Sequence, residues 1–313
     1  MTRATVLSAC LLACGPEPLR APPPAPVIEE PALAIPADLD LVLRLDLARL
    51  RGALGLDLGQ ALDRAYDESA SAERDAGTRR LLSQLLVRTN VLWVGVRPGH
   101  SPELTDNVLV ARGTFSGLVP NVISGEPPWR RARDLGGSVR RFDRELPAVR
   151  ALPAVLYVRE PDLVIVGSGA EIDALERTLE LRRGERPVRA PETGFISVAA
   201  RLAPVLARLE AKAPALAELF SGSERLRASA DLTAGWLRVD VEVGFSDTER
   251  AAAAASALRR LTTALSRSSA PWLTAARIDS IGDVVTGRLV LPEAELRRLA
   301  RGRQRWIESD GTN

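Results

Sequence analysis

The chain has 313 residues, and its content of 46% hydrophobic and 26% charged residues excludes a fibrous or wholly disordered protein. Its 42 Lys and Arg residues and 40 Asp and Glu residues give a net charge of +2, so the overall field offers nucleic acid no broad attraction. One histidine, His100, and two cysteines, Cys10 and Cys14, leave few side chains for metal or nucleophilic chemistry.

The amino terminus carries one positive charge, at Arg3, followed by the small or apolar residues 4–13. This pattern predicts a short secretory signal peptide, because about 20 apolar residues would be needed to cross a bilayer. Leu11-Leu12-Ala13-Cys14 resembles the lipobox of bacterial lipoprotein signal peptides, and the resemblance implies cleavage before Cys14 and lipidation of that cysteine. Cys10 ends a similar pattern, but cleavage there would leave a nine-residue signal. The alternative is a cytoplasmic protein with an apolar start.

A Pro-rich segment follows the signal. Residues 15–36 contain eight prolines, a composition that favours extended polyproline II and cannot form a packed core. We therefore predict a signal peptide over residues 1–13, and a lipid-anchor cysteine with a Pro-rich tether over residues 14–36. Because both cysteines precede residue 15, the folded part is predicted to have neither a disulfide nor a thiol nucleophile.

Beyond residue 36, strand-like and helix-like stretches alternate. Residues 40–50 alternate Leu with polar residues, which predicts a half-buried strand. The remaining elements predicted up to residue 182 are a helix at 57–88, strands at 91–96, 108–115, 139–143, 154–158 and 163–166, and a final helix. Residues 116–137 are rich in Gly and Pro and are predicted to be a connection without regular structure.

The second half of the chain repeats this alternation. The predicted elements are a strand at 195–199, helices at 202–220, strands at 226–232 and 237–245, an Ala-rich helix ending near 266, a hairpin strand at 284–291 and a last helix at 293–307. Arg238, Asp240 and Glu242 alternate with apolar residues, which predicts an antiparallel sheet with one face in water. Ser246 and Glu249 have the spacing of a capping box for the Ala-rich helix.

The two halves share the order strand, helices, strand pair, hairpin and helix. This order predicts an α+β fold of two similar modules of antiparallel sheet with packed helices, at residues 37–190 and 191–313. The opening Ile35-Pro36-Ala37-Asp38, followed by a Leu-rich strand, resembles the start of the folded part in uncharacterised bacterial envelope lipoproteins. The resemblance implies a cell-envelope location and no particular activity.

One motif suggests nucleotide chemistry. Gly167-Ser168-Gly169 follows a predicted strand and precedes a helix, as a dinucleotide-binding fingerprint does. However, residue 172 is Ile where the third glycine belongs, and the preceding connection has the pattern of a hairpin. A capping box formed by Ser168 and Glu171 at a sharp turn accounts for more of the pattern.

Other catalytic signals are missing from the sequence. It contains no P-loop, G-x-S-x-G, S-x-x-K or H-E-x-x-H motif, and a lone histidine such as His100 cannot form a His-based metal cluster. We therefore predict no catalytic residues, no metal, no cofactor and no enzymatic activity. The alternative is an envelope hydrolase that uses carboxylates with His100, which a deep pocket holding these groups together would favour.

Two arginine clusters are candidates for contact with anionic lipid or an anionic envelope polymer. The first consists of Arg130, Arg131, Arg133, Arg140 and Arg141, and the second, on the predicted last helix, of Arg297, Arg298 and Arg301 with Trp306. The alternative is that both clusters are ordinary solvated surface. From the sequence we thus expect a non-catalytic, lipid-anchored cell-envelope protein that binds or scaffolds another envelope component. Its expected partners are a bacterial membrane, inner or outer, through the lipid anchor, and an envelope protein or polymer, but no nucleic acid.

Overall fold

The computed structural model describes residues 30–54, 76–99, 105–118, 129–135, 139–144, 153–181, 190–268 and 270–295. The strands are β1 (Leu41–Asp46), β2 (Thr89–Arg97), β3 (Asp106–Gly113), β4 (Arg130–Asp134), β5 (Val139–Asp143), β6 (Pro153–Arg159), β7 (Leu163–Ser168), β8 (Ile196–Arg201), β9 (Ser223–Thr233), β10 (Trp236–Phe245), β11 (Arg277–Ile281) and β12 (Val284–Pro292). The α-helices are α1 (Leu47–Leu54), α2 (Ala76–Arg88), α3 (Ile172–Leu181), α4 (Ala203–Lys212), α5 (Pro214–Leu219) and α6 (Thr248–Ser268). Short 3₁₀ helices lie at Pro31–Ala34, Gly169–Glu171 and Pro271–Ala275.

These twelve strands form one antiparallel sheet in the order β11-β12-β10-β9-β8-β1-β2-β3-β7-β6-β5-β4. The α+β class predicted from the sequence is therefore confirmed. The spatial order β1-β2-β3-β7-β6 recurs as β8-β9-β10-β12-β11, and the two sets meet where β1 pairs with β8. We call β1–β7 the first half and β8–β12 the second half. The module bounds 37–190 and 191–313 stay a prediction.

The two faces of this sheet differ in polarity, as rows of directly paired residues show. On the front face one row reads Gly287, Val241, Ala228, Val198, Leu43, Val94, Leu109, Val166, Leu156 and Phe142. On the back face the adjacent row reads Arg288, Asp240, Ser229, Ser197, Arg44, Trp93, Val110, Ile165, Tyr157 and Arg141. The front face is thus apolar across both halves, whereas the back face changes from polar in the second half to mainly apolar in the first.

The helices follow this pattern. On the front face, α1 and α2 cover the first half, and α6 covers the second through Ala251, Ala254 and Ala255. On the back face, the 3₁₀ helix Pro31–Ala34 and α3 cover the first half. The end of the segment predicted to be a Pro-rich tether, residues 31–36, is thus part of the packed core, because Ala34 and Ile35 are apolar and buried against the sheet. The packing is close, since a Cβ on Gly167 would lie 2.5 Å from Leu175 of α3. Among the described residues, no helix covers the back face of the second half.

Three further local predictions are wrong. The strand expected at 40–50 ends at Asp46, because that side chain caps α1 by accepting the Arg49 N–H at 3.0 Å. For α6 the cap is Asp247, which accepts the Arg250 N–H at 2.8 Å, and not Ser246. Strand β4 lies in the segment predicted to lack regular structure. The pattern did not indicate a strand, because the sequence RRARD has no apolar alternation.

Other predicted elements are only partly described. Of the helix predicted at 57–88, residues 76–88 form α2, and residues 57–75 lie outside the described residues. Of the last helix predicted at 293–307, residues 293–295 are helical and the remainder lies outside the described residues.

Candidate functional site

A cluster of charged side chains lies on the back face at the end of β2. Arg97 donates hydrogen bonds to Glu171 at 2.7 Å and to Asp106 at 3.3 Å, and it also bridges to Asp38. Glu171 and Asp106 are only 1% and 2% exposed. Because Asp38, Arg97, Asp106 and Glu171 come from four separate segments, this cluster links the chain before β1 to β2, to β3 and to the 3₁₀ helix that precedes α3.

The electrostatics of the cluster are unequal. Burial raises the pKa of Glu171 above its usual value of 4.5, and although Arg97 opposes the rise, Asp38 and Asp106 add to it. Burial tends to lower the pKa of Arg97, but its three carboxylate partners outweigh that effect and keep the guanidinium charged. Three carboxylates therefore share one permanent cation, and Arg97 contacts all three. We interpret this cluster as a structural ion-pair network that stabilises the fold.

The Gly167-Ser168-Gly169 motif lies beside this cluster. Strand β7 runs antiparallel to both of its neighbours, β3 and β6, whereas a dinucleotide fingerprint belongs to a parallel strand-helix-strand unit. The capping box predicted for Ser168 and Glu171 is also wrong. Ser168 makes no side-chain cap, but accepts the Asn107 N–H at 3.2 Å, while Glu171 turns toward Arg97.

The first arginine cluster lies on β4 and β5, at one edge of the sheet. Most of its members form ion pairs: Arg131 with Asp134 (2.5 Å), Arg133 with Glu176 (3.1 Å), Arg140 with Glu160 (3.0 Å), and Arg141 with Asp143 (2.7 Å) and Glu176. Arg130 is exposed and makes no ion pair with any described residue. These acids offset much of the local positive charge, and contact with an anionic surface stays a prediction.

Several predicted site residues lie outside the described residues. These are Cys14, His100, Arg297, Arg298, Arg301 and Trp306. Within the described part of the chain, no group of three or more His, Cys, Asp or Glu residues is arranged to hold a metal ion. None of the described helices is long and apolar enough to cross a membrane.

The back face of the second half is an open polar surface. Arg238 and Arg288 approach Asp240 from two strands, at 2.5 and 2.8 Å. Partial burial acts to raise the pKa of Asp240, but the hydrogen bonds and charges of the two arginines outweigh it and lower that pKa. Trp236, at one end of β10, is 52% exposed. The alternating sequence of β10 predicted this wet face, and the prediction is confirmed.

A groove of about 670 Å³ lies between α6, the 3₁₀ helix Pro271–Ala275 and the outermost strand β11. Arg259, Arg267 and Arg277 line it and form ion pairs with none of the described residues, unlike most of the first arginine cluster. Asp279 is its acidic lining residue. Sequence reasoning missed this groove because the strand order, which makes β11 an edge, cannot be inferred from local patterns.

Comparison with known proteins identifies the fold. The chain is similar to TP0453 in two of its crystal forms, III and I, each with a TM-score of 0.51. The chain shares the TP0453 fold. The sequence identities are 11% and 12%, and the alignments cover 85% of this chain and 96% and 94% of the TP0453 chains. TP0453 is a Treponema envelope lipoprotein. No known protein family and no curated protein matches the chain in sequence.

Proposed function

We propose that this protein is a lipid-anchored, non-catalytic component of a bacterial cell envelope whose α+β body binds another envelope component. The observation that carries the proposal is the similarity in fold to TP0453, an envelope lipoprotein, over 85% of the chain. The lipobox pattern ending at Cys14 and the Pro-rich residues 15–29 support the same location independently, because they precede the first described residue of the fold.

The anchor and the tether have a direct physical role. Two or more acyl chains on Cys14 give stable membrane attachment, where one chain would bind reversibly. Because residues 31–36 pack against the sheet, the proposed tether consists of residues 15–29, which would reach roughly 45 Å if extended at ~3.1 Å per residue. The body can therefore contact partners well away from the membrane surface that holds its anchor.

The described polar groups favour binding over catalysis. The buried carboxylates Asp106 and Glu171 are engaged by Arg97, and Asp240 by Arg238 and Arg288. General acid-base catalysis on two carboxylates needs a pair that flanks a substrate cleft, and these carboxylates instead hold strands together.

The two arginine clusters remain proposed contacts for an anionic surface. In the first, Arg130 is the member best placed for a partner, since Arg131, Arg133, Arg140 and Arg141 have acidic neighbours. The second cluster, Arg297, Arg298 and Arg301 with Trp306, is proposed from its sequence alone.

Metabolic labelling tests the anchor. Cells that produce the full-length protein are given radioactive palmitate, and we expect label in the wild-type protein and in Cys10→Ser, but none in Cys14→Ser. The signal is normalised to protein amount on an immunoblot. Equal labelling of Cys14→Ser and wild type would contradict the anchor, and loss of label in Cys10→Ser alone would move the site to Cys10.

A further inference from the structure

The two edges of the sheet are built differently. Strand β4 has only exposed residues, most of them charged, and its pairing with β5 is broken by a bulge between Arg131 and Arg133. Charges and bulges are devices that block the addition of a further strand. Strand β11 also carries two exposed charged residues, Arg277 and Asp279, but it pairs with β12 without a bulge, and its last residue, Ile281, is 74% exposed. Among the described residues, β11 is therefore the more regular of the two edges and the better suited to pairing.

Hydrogen bonds fix which backbone groups of β11 point outward. The Phe245 N–H donates to the Asp283 carbonyl, and the Glu293 N–H donates to the Gly235 carbonyl. Asp283 and Glu293 flank the two ends of β12, so the odd-numbered residues of β12 form their backbone hydrogen bonds with β10. The even-numbered residues of β12 then bond to 277, 279 and 281 of β11. It follows that the N–H and C=O groups of Ile278 and Ser280 face the open side.

A side-chain contact agrees with this assignment. Arg259 of α6 donates to the carbonyl of Ile278 at 3.0 Å. No described strand lies beyond β11 to take the other outward groups. The Ile278 carbonyl keeps a second lone pair, so the Arg259 contact does not prevent it from accepting a strand hydrogen bond.

The surroundings of this edge are basic. The groove of about 670 Å³ beside β11 is lined by Arg259, Arg267 and Arg277, against one acid, Asp279. Thr263 and Ser266 also line the groove, and each donates its hydroxyl hydrogen to a backbone carbonyl of α6. Their hydroxyls therefore face the groove with oxygen lone pairs and not with a donor. Positive charge beside unpaired strand groups is complementary to an extended chain that carries carboxylates.

We propose that the edge of β11 binds an extended acidic peptide segment of another envelope protein, which adds to the sheet as a further strand. Main-chain hydrogen bonds to Ile278 and Ser280 would supply affinity, and carboxylates directed to Arg259 and Arg267 would supply selectivity. Alternate residues of the added strand lie on the front side, where α6 packs. This inference rests on the proposed binding role and gives that role a surface and a partner chemistry.

Fluorescence anisotropy tests the charge requirement. The probe is a fluorescein-labelled eight-residue peptide of alternating Glu and Val, added to the full-length protein in detergent micelles. We expect the double variant Arg259→Gln, Arg267→Gln to bind about tenfold more weakly, the effect of losing about one charge-assisted hydrogen bond. Arg260→Gln is the matched control, because Arg260 lies on the same helix but bonds to Ser256 and lines a different groove. A Lys-Val peptide should bind at least tenfold more weakly than the Glu-Val peptide.

Backbone changes test the strand geometry. Ser280→Pro removes an outward N–H while sparing the β12 ladder, so it should also weaken binding about tenfold. If this variant does not fold, N-methylated peptides replace it. Methyl groups on the alternate amides that face β11 should abolish binding, whereas methyl groups on the other set should not.

Three results would overturn the proposal: equal binding of Glu-Val and Lys-Val peptides, no effect of either methylation pattern, or displacement of the labelled peptide by phosphatidylglycerol in mixed micelles that is as effective as displacement by unlabelled Glu-Val peptide. The last result would assign the basic groove to a membrane surface. Failure of the peptide assay with Cys14 still labelled overturns the edge site alone. Peptide binding by a protein whose Cys14 carries no label overturns the anchor alone.

Discussion

The two halves of the sheet share a strand order, but the back face is covered and mainly apolar in the first half and exposed and polar in the second. Every residue of β7 and all but the last of β6 are buried, because helices and the amino-terminal segment cover both sides of the first half. Strand β10 alternates, with Leu237 buried and Arg238 and Glu242 exposed. The same strand order can therefore serve a closed structural half and an open half whose surface is available for partners.

The halves also differ in how they hold a carboxylate. Glu171 in the first half is buried beside two other acids, and its pKa is raised. Asp240 in the second half lies at the surface between two arginines, and its pKa is lowered. Burial sets the direction of the pKa shift of Glu171, and ion pairing sets that of Asp240. Burial and ion pairing are separable causes of a pKa shift.

The largest expected contrast is in core packing. Phe142→Ala, at a fully buried front-face position of the first half, should lower the free energy of unfolding by about 3–5 kcal/mol. Trp236→Ala, at an exposed position of the second half, should lower it by less than about 1 kcal/mol. Urea unfolding of the full-length variants measures both, and similar losses for the two would remove the distinction between a closed and an open half.

The next contrast concerns matched arginines. Arg97→Met leaves Glu171 and Asp106 buried without their cation and should cost about 2 kcal/mol, the scale of a hydrogen bond to a charged group. Arg288→Met removes one of two partners of Asp240 at the surface and should cost less than about 0.5 kcal/mol. An equal loss of unfolding free energy in the two variants, measured by urea unfolding, would show that the Arg97 cluster does not stabilise the fold more than a surface ion pair does.

The smallest expected contrast is in the pH dependence of stability. Because the pKa of Glu171 is raised in the folded state, its contribution is full below its usual value of 4.5 and is lost as pH rises through the folded value. Because the pKa of Asp240 is lowered, its contribution is full above its usual value of 3.8 and is lost as pH falls through the folded value. The melting temperature should depend less on pH than in the wild type above pH 4.5 in Glu171→Gln and below pH 3.8 in Asp240→Asn. Loss of pH dependence over the same pH range in both variants would contradict these assignments.

Local patterns predicted the elements that depend on local physics. The alternation of Leu, Val and charged residues in β10 gave both the strand and its wet face, and β5 lies at the predicted residues 139–143. Strand β4 could not be predicted, since RRARD has no apolar face and is held by pairing with β5. The two capping boxes failed because a nearer Asp, or a distant Arg97, competed for the same groups.

The sites depend on contacts between distant segments. The Arg97 cluster joins residues 38, 97, 106 and 171, and no spacing rule connects them. The open edge of β11 arises because β12 returns to pair with β10, which leaves β11 outermost. Strand order is set by packing of the whole sheet, and for that reason neither site is visible in the sequence.

Amide hydrogen exchange along the full-length protein, with and without the Glu-Val peptide, tests together whether the first half is closed and whether the second half binds through β11. We expect the slowest exchange in β6 and β7, fast exchange at Ile278 and Ser280 in the free protein, and slowing by the peptide confined to β11 and the adjoining part of α6. Slowing at β4, or a peptide that leaves β11 unchanged, would contradict a closed first half and a second half that binds through its edge.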